Sequence, residues 1–435
     1  MDIYYGNETK KALKNFPFSI HFVKEELVLS MVEIKKAAAI ANFKAGNLSL
    51  QIKDAIVKAS DEILDNKHKD QFSLSSFQGG AGTAINMNIN EVIANRATEI
   101  LKNKTVVHAN DHVNCSQSTN DVNPSALKIS LVVLLKELNV TLGLLIKSFE
   151  KKEKEFKNVA KLGRTHLQDA IPTTLGSEFG AYKENLLKHQ KEITKSLDLL
   201  TTLNLGGTAI GNCVNAKQVY IKEVYIELSK ITGERFIKAK NLMASTSSHT
   251  DFLLISQKIV SLCVELSKIA NDFRFMSSGP QGGIGEIILP ELQKGSSIMP
   301  GKVNPVIPEV VNQLYFLVSG NNLTIEKAVE ASQLELGVML PIIADRLLES
   351  VKLTTETISQ FDKLCVSVVI ANKENCLIHL ENSTAYATLL VPKLGYDLVS
   401  SIVNESIKTK RKLRDVVVEG KYLTNKEFND ITHSF

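Results

Sequence analysis

The sequence predicts a mainly α-helical protein whose centre is a bundle of about five long helices. Three observations carry that expectation. Long stretches run almost without glycine or proline and are apolar over much of their length. No alternating strand pattern of comparable length occurs. Half of the ten prolines crowd into residues 279–308, which leaves the rest of the chain free to stay helical.

The elements follow in order. Up to about Ser118 the segments are shorter and the turns more polar. From Pro124 to about Val159 there is one glycine and no second proline, a run of roughly 35 residues against a usual helix of about 11–12. Comparable segments run from about Thr174 to Leu203, Thr250 to Met276, Pro305 to about Ala331 and Pro341 to about Asn372. Pro124 and Pro305 suit a first helical turn, where a missing N–H costs nothing. After about Asn375 the chain reads as short helices such as "NKEFNDIT".

Composition excludes several classes. A hydrophobic share of 44% and a charged share of 23% are ordinary for a globular protein. The net charge of +4 gives no reason to expect nucleic acid or a membrane surface as partner. The apolar run "ISLVVLLKELNVTLGLLI" carries Lys136 and Glu137 at its middle, so it reads as a buried helix. Five scattered cysteines without a CxxC speak against a disulfide framework or zinc site and for a reducing, cytoplasmic compartment. "MDIYYGNETKK" lacks the order of a signal peptide.

The stretch from 279 to 308 is a long loop between long helices, a feature that is functional or disordered more often than incidental. Ile284, Ile287, Ile288, Leu289, Leu292, Ile298 and Met299 speak against disorder, and a plain surface connection is the bland alternative. Its core is "GSSIMPGKVNP", residues 295–305. Three more segments share its small, hydroxyl-rich and amide-rich character: "GGAGTAINMNINE" from 79, "NDHVNCSQSTNDVNPSA" from 110 and "GRTHLQDAIPTTLG" from 163. Any one of them alone reads as helix caps and turns. Together they offer neutral donors beside helix starts, from Thr83, Ser118, Thr119, Asn120 and Thr165, which suits a small carboxylate. Lys302 would add one fixed positive charge. His166 and Glu309 are the candidate proton-transfer partners, although a lone histidine is more often structural. His108 and His112 sit in a turn sequence, which does not suit a metal site. "GGAGTA" lacks the ending of a phosphate loop.

Taken together these segments resemble the aspartase/fumarase superfamily, and the resemblance runs over nearly the whole chain. "GSSIMPGKVNP" looks like its signature GSSxMPxKxNP. "NMNINEVIANRA", "NDHVNCSQSTND", "GRTHLQDAIPTTLGSEF" and "GTAIG" match in the right order. The resemblance implies a three-domain subunit, here 1–118, 119–374 and 375–435. It also implies a tetrameric helical core with each active site built from three chains, and a reversible β-elimination that releases fumarate from a small dicarboxylate without a cofactor. Carried over residue by residue, Ser296 matches the base, and Lys302 and Asn304 match carboxylate ligands. Thr83, Ser118, Thr119, Asn120, Thr165 and His166 match other pocket residues, with Ser297 beside them. Glu309 matches the carboxylate that orients the histidine.

The chemistry accounts for these residue types. Proton removal beside a carboxylate creates an aci-carboxylate dianion, and preset hydroxyl and N–H donors stabilise it. A serine must be activated to serve as base, and a mobile loop can close over the substrate. Ala84, Thr119, "VNPVIPEVVNQ" and "QLEL" followed by "VM" resemble the wording of aspartases, which deaminate L-aspartate; fumarate hydration is the runner-up. Gln281, Gly337, Asn212 and Cys213 depart from both patterns, where arginine, asparagine and Thr-Gly are usual, and "ASTSSHTDF" is looser than usual. A non-catalytic helical scaffold is the reading from another class. It would have no need of Ser296, Lys302, His166 and Glu309.

Overall fold

The computed structural model describes residues 3–432. Four helices precede the first long one: α1 (Asn7–Asn15), α2 (Glu25–Lys44), α3 (Leu50–Leu64) and α4 (Thr83–Ile100). The expected long helices then form as α5 (Thr119–Glu155), α6 (Leu175–Leu200), α9 (Thr250–Met276), α10 (Val306–Glu330) and α11 (Leu340–Phe361). Between α6 and α9 lie α7 (Gln218–Thr232) and α8 (Leu242–Ser247), and the chain closes with α12 (Lys373–Asn382), α13 (Ala387–Leu394), α14 (Tyr396–Thr409), α15 (Leu413–Glu419) and α16 (Asn425–Thr432).

Strands are few. β1 (Ala160–Thr165) pairs antiparallel with β2 (Gln168–Thr174), β3 (Thr202–Leu203) parallel with β4 (Ile237–Lys238), and β5 (Ile287–Ile288) antiparallel with β6 (Ile370–Ala371). The β1–β2 hairpin corrects the sequence reading. "GRTHLQDAIPTT" is a strand–turn–strand, so Thr165 lies at a strand end and not beside a helix start. Its turn is His166–Leu167, both left-handed at φ 54° and 60°, as a two-residue hairpin turn requires.

Pro124 is a second correction. It lies inside α5, five residues beyond Thr119, and not in the first turn. A proline there cannot donate to the carbonyl of Asn120, four residues back. The Asn204 side chain donates to that carbonyl instead, at 3.1 Å. The helix therefore keeps its proline and acquires a fixed crosslink at the same point.

The chain folds as two compact units. The first holds residues up to Val140, Lys191–Ser261 and Phe316–Thr355; the second holds Thr141–Gln190, Leu262–Tyr315 and the chain from Glu356. In the first, α2 packs against α3, α4 and α7, with Met31, Val32, Ile34, Ala37, Ala38 and Ala41 buried. In the second, an aromatic cluster of Phe149, Phe156, Phe179, Tyr182, Phe273 and Phe361 fills the core, with neighbouring ring centroids between 5.2 and 6.4 Å. Leu390, Val399, Ile402, Val417 and Phe428 form a smaller core under α13–α16. Among the described residues one helix, α5, is long and apolar enough to cross a membrane. Over half of its most apolar stretch is buried, and Lys128 beside that stretch pairs with Asp251 at 2.6 Å, the pattern of a core helix.

Candidate active site

The first unit holds Thr83, Ser118, Thr119 and Asn120, and the fold brings them together. The turn before α4 needs left-handed backbone at Gly80, Ala81 and Gly82. A side chain at Gly82 would also strike the Asn123 amide, at 2.5 Å. That amide donates to the carbonyls of Ala81 and Gly82, at 3.2 and 3.1 Å. In the opposite direction Asn86, in the first turn of α4, donates to the Thr119 hydroxyl at 3.4 Å. Two helix N-termini are thus stitched together, each by an asparagine of the other helix. A helix N-terminus favours a bound anion, and here two are held next to each other.

The start of α5 is a capping box. The Ser118 hydroxyl accepts from the Asn120 N–H at 3.2 Å, and Asp121 reaches back to the Ser118 N–H at 2.9 Å. The other oxygen of Asp121 accepts from the N–H groups of Gly206 and Thr208, at 3.0 and 2.9 Å. The 206–208 turn is thereby bound to the start of α5. The Asn120 amide donates to the Ala209 carbonyl at 2.8 Å.

Beneath this turn lies Lys35, fully buried. It donates to the side-chain oxygens of Asn114 and Gln117, at 2.9 and 3.0 Å. Burial pushes the Lys35 ammonium down to about 7, which Asp121 partly offsets. Burial likewise pushes the Asp121 carboxyl up to about 6, against the pull of its three backbone donors and of Lys35. Sequence reasoning missed Lys35, Asn86, Asn123, Asn204 and Asp121. Asp121 had a legible signal, the S-x-x-D pattern of "STND". Lys35 sits in an ordinary apolar helix pattern and had none.

The second unit holds the remaining candidates. Thr165 and His166 stand exposed at the tip of the β1–β2 hairpin. Its base is held firmly. Glu286, with no exposed surface, takes Lys161 and Arg164, each at 2.9 Å, and His379 at 3.0 Å. Burial works to raise the Glu286 carboxyl, but Lys161, His379 and Arg164 outweigh it and hold it below the ordinary range. Burial likewise works against the Lys161 charge, yet Glu178 and Glu286 keep the ammonium above its usual value. A polar knot of this kind orients the hairpin from its base.

The loop from Gly295 to Asn304 is pinched at its neck. A side chain on Gly295 would fall 1.9 Å from the Lys302 carbonyl oxygen, so only glycine allows the two strands of the loop to touch. The Asn304 amide donates to the Gly295 carbonyl at 2.8 Å. The Ser296 hydroxyl accepts from the Ile298 N–H at 3.2 Å, a bond that favours an oxyanion on that atom. Ser297 and Lys302 are exposed, and Glu309 lies in the first turn of α10. Among the described residues no hydrogen bond or ion pair joins Glu309 to His166 within the chain.

The other sequence candidates resolve locally. The Nδ1 of His108 accepts from the Asp111 N–H at 3.3 Å and that of His112 from the His108 N–H at 2.8 Å. Asn212 caps its own turn, accepting from Val214 at 3.4 Å. Gln281 is exposed beside the cis Gly279–Pro280 bond.

Comparison with known proteins places this arrangement. The family described as "Lyase" matches residues 1–320, and the one described as "Fumarase C C-terminus" matches residues 387–434. The aspartate ammonia-lyase of Bacillus subtilis (strain 168) is 43% identical over 100% of this chain and 92% of its own length. The crystal structure of fumarate lyase:delta crystallin from Brucella melitensis superposes with a TM-score of 0.96 at 42% identity, over 99% of this chain and 95% of that one. That of a recombinant class II fumarase from Schistosoma mansoni gives 0.94 at 35% identity, again over 99% and 95%. This chain belongs to the lyase family of the aspartase/fumarase superfamily.

Proposed function

We propose that the protein is a carbon–nitrogen lyase that converts L-aspartate reversibly to fumarate and ammonia. One observation carries the choice of substrate. Aspartate ammonia-lyases match the whole chain at 41–43% identity, whereas the class II fumarase, whose structure superposes with a TM-score of 0.94, matches at 35%. The site chemistry supports it. The pocket at the joined starts of α4 and α5 presents neutral donors, and Ser296 already accepts a backbone N–H in the position that an oxyanion would use.

In this reading Ser296 takes a proton from Cβ. The electrons of that C–H bond pass first into the adjacent carboxylate as an aci-carboxylate dianion. They then form the C=C bond as the C–N bond breaks, and its electron pair leaves on ammonia. Lys302, Asn304 and Thr165 hold one carboxylate; Ser118, Thr119 and Ser297 hold the other. Asn120 and His166 contact the amino group with help from Thr83, and Glu309 orients His166. Fixed donors in a closed site stabilise the dianion more than water would, which is the main source of rate. The reading includes a homotetramer with sites composed from three chains, a subunit divided near residues 118 and 374, and a cytoplasmic setting. The five free thiols accord with that setting.

The test follows the ultraviolet absorbance of fumarate with L-aspartate and L-malate side by side. Fumarate should form from L-aspartate, and the reverse reaction should consume fumarate only when ammonium is present. Rapid formation from L-malate with none from L-aspartate would establish fumarate hydration in its place.

A further inference from the structure

Gly337 is a glycine that its backbone does not require. Its φ lies outside the left-handed region, so a side chain would meet no strain there. What forbids one is another side chain. A Cβ at 337 would fall 2.3 Å from Nδ1 and 2.4 Å from Cε1 of His249. The imidazole fills the space into which residue 337 would otherwise project. His249 itself is 2% exposed, leans on the Phe252 ring at 5.6 Å, and has no hydrogen-bond partner for either ring nitrogen. Burying two unpaired polar atoms costs stability, and a phenyl or leucine side chain would fill the hole without that cost. The ring's position, and not its contribution to the core, is what calls for a reason.

The surroundings supply one, all within the first unit. Gly337 donates its N–H to the Thr246 carbonyl at 3.3 Å. The Thr246 hydroxyl accepts from Asn204 at 2.9 Å, and the same Asn204 amide holds the Asn120 carbonyl. At the far end of the 333–341 turn, Pro341 lies 3.5 Å from where a Cβ on Gly82 would stand, and Gly82 leads directly into Thr83. The turn is therefore wedged between His249 and the two helix starts that form the donor pocket. How deeply it seats at Gly337 affects both Asn120 and Thr83.

We propose that His249 is a positioning residue for this pocket: its ring takes the place of a side chain at 337 and sets how closely the 333–341 turn approaches Thr246 and Gly82. The proposal rests on the aspartate reading only for the substrate used to measure it.

A double-mutant cycle tests it on the full-length enzyme, with His249→Ala, Gly337→Asn and the pair combined. Thermal midpoint, kcat and KM are measured for each. Either single change should raise KM by about fivefold or more while kcat stays within about twofold, because the pocket wall moves and the Ser296 loop does not. Moving the side chain from 249 to 337 should recover most of that rise in the double variant. If the thermal midpoint shows the same rescue while KM stays flat throughout, His249 is packing alone and the proposal is wrong. Additive effects on KM, or a harmless Gly337→Asn, overturn it equally. Should Gly337→Asn fail to fold, His249→Asn decides, with a KM rise supporting the proposal and an unchanged KM rejecting it. If the wild type acts on L-malate and not on L-aspartate, the aspartate reading has failed, and the same cycle run on L-malate still decides the role of His249.

Discussion

Lys35 and Asp121 show how little of a polar core can be read from residue type alone. Both are fully buried, and each has been moved by burial toward neutrality, Lys35 to about 7 and Asp121 to about 6. They persist because each is hydrogen-bonded around the "SQSTND" turn, Lys35 to Asn114 and Gln117 and Asp121 to three backbone N–H groups, and a partnered charge is tolerated where an orphan is not. His249 is the contrasting case, a buried titratable ring without a partner. Burial pushes it down to about 4, with Lys128 adding to the effect and Asp251 opposing it. The sign follows directly. Unfolded, the ring binds a proton near pH 6.5; folded, it resists until about 4. Between those values the unfolded state holds more protons, so stability falls as the pH falls. The full penalty is about 3 kcal/mol, present below pH 4 and absent above 6.5. Other groups oppose this trend, Glu33 among them, whose carboxyl burial raises to about 7. The clean measurement is therefore a difference. The gap in thermal midpoint between wild type and His249→Leu should shift in favour of the leucine variant as the pH is lowered from 6.5 to 4. A gap that does not change with pH would mean the ring is not the acid-labile group.

At the scale of elements, the long helices were legible because their signal is an absence, of glycine and proline, repeated over many residues. Thr250–Met276 matches the expectation at both ends, and α5, α6 and α10 differ by a few residues; α11 was expected to run to about Asn372 but ends at Phe361, well before the β6 strand Ile370–Ala371. The β1–β2 hairpin was not legible. Its strands are six and seven residues long, and its turn is His-Leu, without the Asn-Gly pair that marks a left-handed turn in sequence. The same difficulty hid the role of Pro124, since a proline near a helix start reads as a first-turn residue whether or not something takes over the carbonyl that it frees. That substitution of partners is testable. Asn204→Ala should leave the Asn120 carbonyl unpaired, because residue 124 cannot donate, and cost about 1–3 kcal/mol. Adding Pro124→Ala restores an N–H four residues after Asn120. It should return part of the loss, although Pro124→Ala alone gains little while Asn204 is present. Denaturant unfolding of the four proteins gives the coupling. Independent, additive effects would show that the proline and the asparagine do not share that carbonyl.

For the whole molecule, the candidate residues divide between the two units, Thr83 and Ser118–Asn120 in one and Thr165, His166 and Ser296–Glu309 in the other. The polar, glycine-bounded character of each segment was legible in its residue types; the division of the segments between two units was not, because it depends on long-range packing. Val133 and Val140 on α5, and Val310 and Leu317 on α10, are exposed apolar pairs spaced by seven, the repeat of a helix seam that faces another helix. If copies of the chain pack along such seams and each site takes 118–120, 163–166 and 296–304 from three chains, then His166 and Ser296 of one site lie on different chains. His166→Ala and Ser296→Ala should each be inactive as pure assemblies. Dissociated, mixed and reassembled, some of their sites would draw an intact His166 from one variant and an intact Ser296 from the other. The mixture should then recover a share of the wild-type turnover of about a quarter at most. Sedimentation should give a tetramer for both variants and for the mixture. A monomer, or a proven mixed tetramer without recovered activity, would place both residues of a site on one chain.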